Sequence, residues 1–275
     1  MAHSDSTSNA ITSHRSEVKY LLSGAQAAKI RNLAMQNIVS HTFKKGRFVT
    51  FITTIYFDTK DCSFYHRAVA NPKDNLKMRA REYYYFNEEL IELSSSYDSL
   101  FEYSPDIWLE IKHRKDAHTS KRRLNVPKKL LVSFLAGEEC KEEILGANPD
   151  DPKTTVTYEM IADKLRGKGT SSLVPSVAAN YQRRAYQNEG GSLRITLDAN
   201  LSFHKISPEL FQMRRPLIKE NLGSPMRSMK DVVLELKSTC DIPAWLREAI
   251  GPLTPVDFSK FRNSSKLAIE SCPQP

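Results

Sequence analysis

In the stretch LKMRAREYYY, residues 76–85, three cations recur at every second position. A β-strand has a side-chain period of two, so Lys77, Arg79, Arg81 and Tyr83 share one face and Leu76, Met78, Ala80 and Tyr84 the other. Like charges along one face repel and call for an anionic partner. Arginine clamps phosphate oxygens in a bidentate manner and lysine adds a compact point charge, so this row suits a chain of phosphates.

Six other stretches repeat the alternation. IWLEIKHR places Trp108, Glu110, Lys112 and Arg114 on one face, VVLELKS places Glu235 and Lys237, and SLRITLD places Arg194, Thr196 and Asp198. SKRRLNV adds Lys121 and Arg123, SEVKYLL adds Glu17 and Lys19, and ANYQRRAY adds Tyr181 and Arg183. Most of these strands back the charged face with an apolar one. Such a sheet could lie open with its charged side in water, or it could close with its apolar side outward; the expected fold class is the closed form, α+β with an antiparallel β-barrel, a charged lumen as a tunnel and helices packed on the outside. Desolvated like charges cost several kcal/mol each, so such a lumen requires a polyanion.

A net charge of +8 over 275 residues favours anionic ligands, and its placement on strand faces narrows the class. Tyr83 to Tyr85, interleaved with bases, raise nucleic-acid stacking as a rival. The basic rows share their faces with carboxylates, which argues for no nucleic acid. Cys62, Cys140, Cys240 and Cys272 form no paired motif, so neither a disulfide nor a zinc site is expected. The polar start of the chain and the lack of a long apolar run predict a cytoplasmic protein with no direct membrane insertion.

Residues 1–13 read as a disordered tail, 14–270 as a single domain and 271–275 as a second tail. Ser23 is placed to cap a helix reaching about Val39. The β-branched run FVTFITTIYFDT is a strand, followed by a short helix, DCSFYHRAV, capped by Asp58 or Thr59. Asn71 and Pro72 turn the chain into the basic strand. The segment between Phe86 and Pro105 shows no secure period and reads as a loop or helical excursion. Residues 127–169 turn helical and read as an insertion packed on the barrel. Strands follow at 173–187, 192–198 and 231–239, with Gly190 and Gly191 in a hairpin turn. Lys205, Arg214, Arg215, Lys219 and Arg227 form a basic loop, read as a plain solvated loop with the flank of a tunnel mouth as the alternative, and after a short helix, PAWLREAI, Asp257 or Ser259 caps the last helix.

The order SEVKY, TTIYFDT, LKMRAREY, WLEIKHR, KRR, NYQRRAY, LRITLD, VLELK and DFSKF, over residues 14–267, resembles the VTC-type polyphosphate polymerase domain of the triphosphate tunnel (CYTH-like) superfamily, in its stand-alone bacterial form. The resemblance implies an ATP-dependent transfer of the γ-phosphate to a growing inorganic polyphosphate chain, with Mn²⁺ or Mg²⁺ as cofactor. It assigns phosphate binding to Lys19, Arg79, Arg81, Lys112, Arg183, Arg194 and one of Lys121 and Arg123. Glu235 becomes the metal-binding glutamate and Lys260 an essential lysine near the tunnel mouth. Lys77 and Lys237 join the phosphate set by sharing the charged faces, and Glu17 and Glu110 are further metal candidates, since hard cations prefer oxygen ligands.

Two positions depart from the family pattern: Arg15 stands where the wider superfamily opens with a carboxylate, and Asp257 where the polymerases carry a second lysine. No inositol-phosphate-sensing domain precedes the barrel and no membrane segment follows it, so membrane coupling would need a separate membrane-protein partner. A polymerase acceptor is already anionic and needs no general base. The alternatives are a metal-dependent tripolyphosphatase or nucleoside triphosphatase, in which Asp198 or Glu110 would activate water, and a non-catalytic polyphosphate-binding module.

Overall fold

The computed structural model describes residues 16–271 apart from 43, 92–96, 117, 150, 169–170, 207–209 and 211–215. Residues 1–13, Arg15, Arg214, Arg215 and Cys272, each given an expectation above, lie outside the described residues, as do 273–275.

The sheet is antiparallel throughout. Its strands are β1 (Ser16–Leu22), β2 (Thr50–Asp58), β3 (Asp74–Phe86), β4 (Phe101–Tyr103), β5 (Asp106–Lys115), β6 (His118–Pro127), β7 (Val174–Gln187), β8 (Leu193–Lys205), β9 (Arg227–Ser228) and β10 (Val232–Ser238). They run in the order β1-β10-β8-β7-β2-β3-β5-β6, with β4 on β3 and β9 on β8.

The expected closed barrel is corrected here: the sheet is α+β in class but open, because β1 and β6 do not pair with each other among the described residues. One residue on each edge is hydrogen-bonded elsewhere. The Val256 N–H donates to the Lys19 carbonyl on β1 at 2.8 Å. The Asn148 side chain both accepts from the Asn125 N–H at 2.9 Å and donates to its carbonyl at 2.7 Å, covering β6. Each of these bonds takes backbone groups on one edge residue that a closing strand would otherwise use.

The open sheet nevertheless curls. Lys112 on β5 acts electrostatically on Glu17 on β1, although five strands lie between them in the sheet order. At about 4.8 Å per strand, a flat sheet would hold these two far beyond such influence. The charged face is therefore concave, a basic trough.

Helix α1 (Gly24–Asn37) starts at Ser23, which forms a capping box with Gln26, and its Ala27, Ile30 and Ala34 pack on the convex face. Helices α3 (Lys128–Ala136), α4 (Lys141–Gly146) and α5 (Thr154–Arg166) are the helical insertion. Their Leu131, Phe134, Ile144, Tyr158 and Ile161 bury the apolar faces of β3, β5 and β6. Helix α6 (Ala244–Ile250) packs beside α1.

Not every helix is outside, as the barrel expectation had it. Helices α2 (Ser63–Ala70) and α7 (Lys260–Glu270) place Ala68 and Phe261 on the concave side, against Ile52, Tyr56, Ala179, Tyr181, Leu201 and Phe203. This apolar seat depends on a bulge. The register between β7 and β8 shifts by one residue across Asn200, which has φ 53°. Arg194, Thr196 and Asp198 thus share the concave face with Leu201 and Phe203 of the same strand, instead of the faces exchanging.

Two local expectations are refined. Asp58 and Thr59 both serve α2: the Asp58 carboxylate accepts from the Phe64 and Tyr65 N–H groups and the Thr59 hydroxyl oxygen from that of Ser63. Gly191, with φ +68°, makes the β7–β8 turn that a side chain would strain. Within the segment expected as a loop, β4 adds a short strand to β3. Strand β8 also continues well past Asp198, because the bulge keeps it paired.

Candidate functional site

The strand registers set the predicted residues in rows across the trough. Lys77, Lys112 and Lys121 form one row, and Arg79, Glu110 and Arg123 the next; Arg81 then pairs with Trp108. On the other wall, Glu17, Lys237 and Arg194 line up, followed by Lys19, Glu235 and Thr196. Arg183 and Asp198 are partners between β7 and β8. All of the predicted binding positions therefore share the concave face.

Glu110 anchors the first wall. It is 1% exposed, and its Oε2 accepts from Arg79 Nε at 2.6 Å, with Arg81 Nη1 3.7 Å away. Its Oε1 takes Arg123 Nε at 2.8 Å and Lys121 Nζ at 2.9 Å. Burial alone would raise the Glu110 pKa, but Arg79, Arg81 and Lys121 hold it well below the ordinary carboxylate range. The anchored guanidiniums keep other donors for a ligand, since each carries five N–H bonds. The Arg81 Nε is buried and makes no hydrogen bond among the described residues.

Asp198, fully buried, anchors the centre. Arg183 grips it in a bidentate manner, Nε to Oδ1 at 2.6 Å and Nη2 to Oδ2 at 2.8 Å, and Lys260 Nζ reaches Oδ2 at 2.5 Å. Against its burial, these two cations hold the Asp198 carboxyl well below the ordinary range. Lys260 Nζ also lies 4.5 Å from the centre of the Tyr181 ring.

The start of α7 ties the two walls together. Ser259 caps the helix by accepting from the Arg262 N–H at 3.3 Å, and Lys77 Nζ lies 3.4 Å from the same Oγ. Lys19 Nζ donates to the Phe258 carbonyl at 3.1 Å. Of the two candidate caps, Asp257 instead pairs with Arg262 at 2.5 Å on the surface.

On the second wall, Lys237 Nζ lies 2.7 Å from Glu235 and 3.1 Å from Glu17, which also pairs with Lys19 at 3.0 Å. Burial opposes ionisation of Glu17, yet Lys19 and Lys237 bring its pKa down to about 2. Glu235 is lowered too, with burial opposing and Lys237 favouring the charge. Burial and neighbouring cations push Lys77 down to about 8. Burial does the same to Lys121, against the opposing pull of Glu110. Lys112 is lowered by burial, with Glu17 opposing, and makes no ion pair among the described residues. Arg194 closes this wall near His41.

Sequence reasoning missed Ser259, Thr196 and Tyr83 as members of the site. The Tyr83 hydroxyl oxygen accepts from Arg123 at 3.0 Å. Residues on the charged faces carried the signal for Thr196 and Tyr83; for Ser259, only tertiary packing does. Of the basic loop, Lys219 sits on the convex side, lining a cavity of about 250 Å³ with Phe51, Tyr84 and Asn180, while Arg227 is the register partner of Phe203. Tyr84 and Tyr85 are buried, whereas Tyr83 is half-buried. No helix among the described residues is long and apolar enough to cross a membrane.

Among solved structures, the chain is similar to a putative adenylate cyclase from Bacillus halodurans, with 14% identity, TM-score 0.47, and 91% of this chain and 98% of that one covered. It is also similar to a putative adenylyl cyclase from Hippeastrum with a dominant triphosphatase activity, at 12% identity and TM-score 0.45, covering 91% and 94%. A putative adenylate cyclase from Vibrio parahaemolyticus follows, at 10% identity and TM-score 0.40, covering 92% and 98%. No curated protein matches the chain at a significant level. The family model of the VTC domain matches residues 14–269, and the chain accordingly belongs to the VTC domain family.

Proposed function

We propose that the trough binds the triphosphate of ATP and transfers its γ-phosphoryl group to the end of an inorganic polyphosphate chain. One observation carries this reading over hydrolysis: the carboxylates that would activate water, Glu110 and Asp198, are saturated with cations and their pKa values are held low. A carboxylate in that state is a poor proton acceptor at neutral pH. A phosphate acceptor is already anionic and needs none. Positioning and charge neutralisation then supply the catalysis, which is what rows of arginine and lysine offer.

In this reading Arg79, Arg81, Lys112, Lys121, Arg123, Lys77, Arg183, Arg194 and Lys19 hold the phosphates, and Lys260 stands over the reacting group. Asp198 holds the Lys260 amine in place through its Oδ2. Glu235 and Glu17, with the buried Thr196 Oγ1 beside Glu235, which makes no hydrogen bond among the described residues, offer an all-oxygen donor set that fits Mg²⁺ or Mn²⁺. A bound divalent cation would neutralise charge on the phosphate oxygens. Glu110, enclosed by four cations, serves as the anchor of the arginines rather than as a metal ligand.

The test is incubation of the purified protein with ATP and Mn²⁺ or Mg²⁺, reading polymer on a polyphosphate-stained gel and orthophosphate in the same sample. Long polymer is the expected product. Orthophosphate without polymer would reassign the protein as a phosphohydrolase, and binding without turnover would make it a polyphosphate-binding module.

A second expectation concerns protons. Lys77 and Lys121, at about 8, are partly neutral at pH 8, and a neighbouring anion favours their charged form. Tripolyphosphate binding at pH 8 should therefore take up protons. Calorimetry in two buffers of different ionisation enthalpy measures this; identical heats in both would place the phosphates away from these lysines. The sign for stability follows. The unfolded chain holds more protons between about 8 and 10.5, so the empty trough gains stability as pH rises through that window.

A further inference from the structure

Lys237 occupies the place that the proposed cation would need. Its ammonium lies 3.1 Å from Glu17 Oε2 on β1 and 2.7 Å from Glu235 Oε1 on β10, so one charge spans both carboxylates. The other Glu17 oxygen is engaged by Lys19 at 3.0 Å. Thr196, 5% exposed, is the register partner of Glu235 on β8, and its Oγ1 makes no hydrogen bond among the described residues. A set of hard oxygens is therefore gathered around a lysine.

The geometry points to Lys237 as a resident counter-cation that holds Glu17 and Glu235 together in the metal-free protein and leaves them when a divalent cation binds. This rests on the reading above, that the trough uses such a cation. An ammonium and a divalent ion cannot share the same two oxygens without strong like-charge repulsion. Lysine suits the exchange, being a point charge on a flexible stem, where an arginine fork would lock the pair. Arg194 is the register partner of Lys237, and Lys112 lies within its electrostatic reach. The released ammonium therefore joins cations of the phosphate-binding set. Cation binding and triphosphate binding are thereby coupled, because the first event adds a positive charge to the surface that receives the second.

The experiment titrates Mn²⁺ into the nucleotide-free full chain and follows free Mn²⁺ by electron paramagnetic resonance. Lys237→Met is compared with wild type and with Lys19→Met and Lys112→Met, which remove the same charge nearby without opening the bridge. Lys237→Met should tighten Mn²⁺ about tenfold, and the two control variants less than about threefold. The rise in Tm on adding Mn²⁺ should also be larger in Lys237→Met than in wild type. Lys237→Gln repeats the measurement should the methionine variant fold poorly. Equal tightening in Lys237→Met and Lys19→Met, or no tightening in either Lys237 variant, overturns the exchange and leaves the cation reading standing. If wild type and every variant fail to bind Mn²⁺, the cation reading itself fails and the exchange falls with it.

Discussion

Replacing Glu110 by glutamine is expected to destabilise the protein by about 3–5 kcal/mol, the usual cost of removing one partner from a buried ionic cluster. Glutamine keeps the shape of the side chain and removes its charge. Arg79, Arg81, Lys121 and Arg123 would then face one another around a neutral amide in a 1% exposed site. Urea denaturation with and without tripolyphosphate reads both halves of the argument. The variant should lose stability in plain buffer and regain more than wild type does when the anion is added. A loss below about 1 kcal/mol would mean that solvent, not Glu110, screens the four cations. Acid should act in the same direction. With its folded pKa depressed, Glu110 contributes stability above the ordinary carboxylate range, and that contribution fades as pH falls through the folded value.

Lys260→Met should lower phosphoryl transfer by about a hundredfold or more, on the scale seen when one preorganised electrostatic contact to a transition state is removed. The lysine is held between Asp198 at 2.5 Å and the Tyr181 ring at 4.5 Å, at the first position of α7. Its charge is therefore fixed in place before substrate arrives. The comparison that isolates this role is kcat against triphosphate affinity. A loss confined to affinity would make Lys260 a binding residue, whereas a fall in kcat with modest change in affinity places it at the reacting group. Arg183 still pairs with Asp198 in the variant, so the centre of the sheet retains one counter-cation, and an unchanged Tm would show that the fold is intact.

The period-two alternation determined which side chains share a face along every strand segment that carries the site, up to the bulge at Asn200 on β8. Lys77 with Lys112 and Lys121, Arg79 with Glu110, and Glu17 with Lys237 all follow from parity once the strands pair. Local signals also placed the Ser23 cap, the Gly191 turn and the helical insertion, since each depends on neighbours a few residues away. Closure was beyond such reasoning. Whether β1 meets β6 is a matter of contacts between strands about a hundred residues apart, and the segments that touch these edges, at Val256 and Asn148, are outside both strands.

The same holds for the bulge at Asn200, which keeps Leu201 and Phe203 on the face of Asp198 and so creates a seat for α7. Without that seat Ser259 would not reach Lys77, nor Lys260 reach Asp198. Tertiary packing likewise sent Lys219 to the convex side, where composition alone left a solvated loop or a mouth open. The sequence by itself thus determined that this protein presents a basic, phosphate-suited face, because side-chain parity is a local property of a strand. Which carboxylates anchor the arginines was decided only by the curled sheet, because that choice depends on contacts between strands distant in sequence.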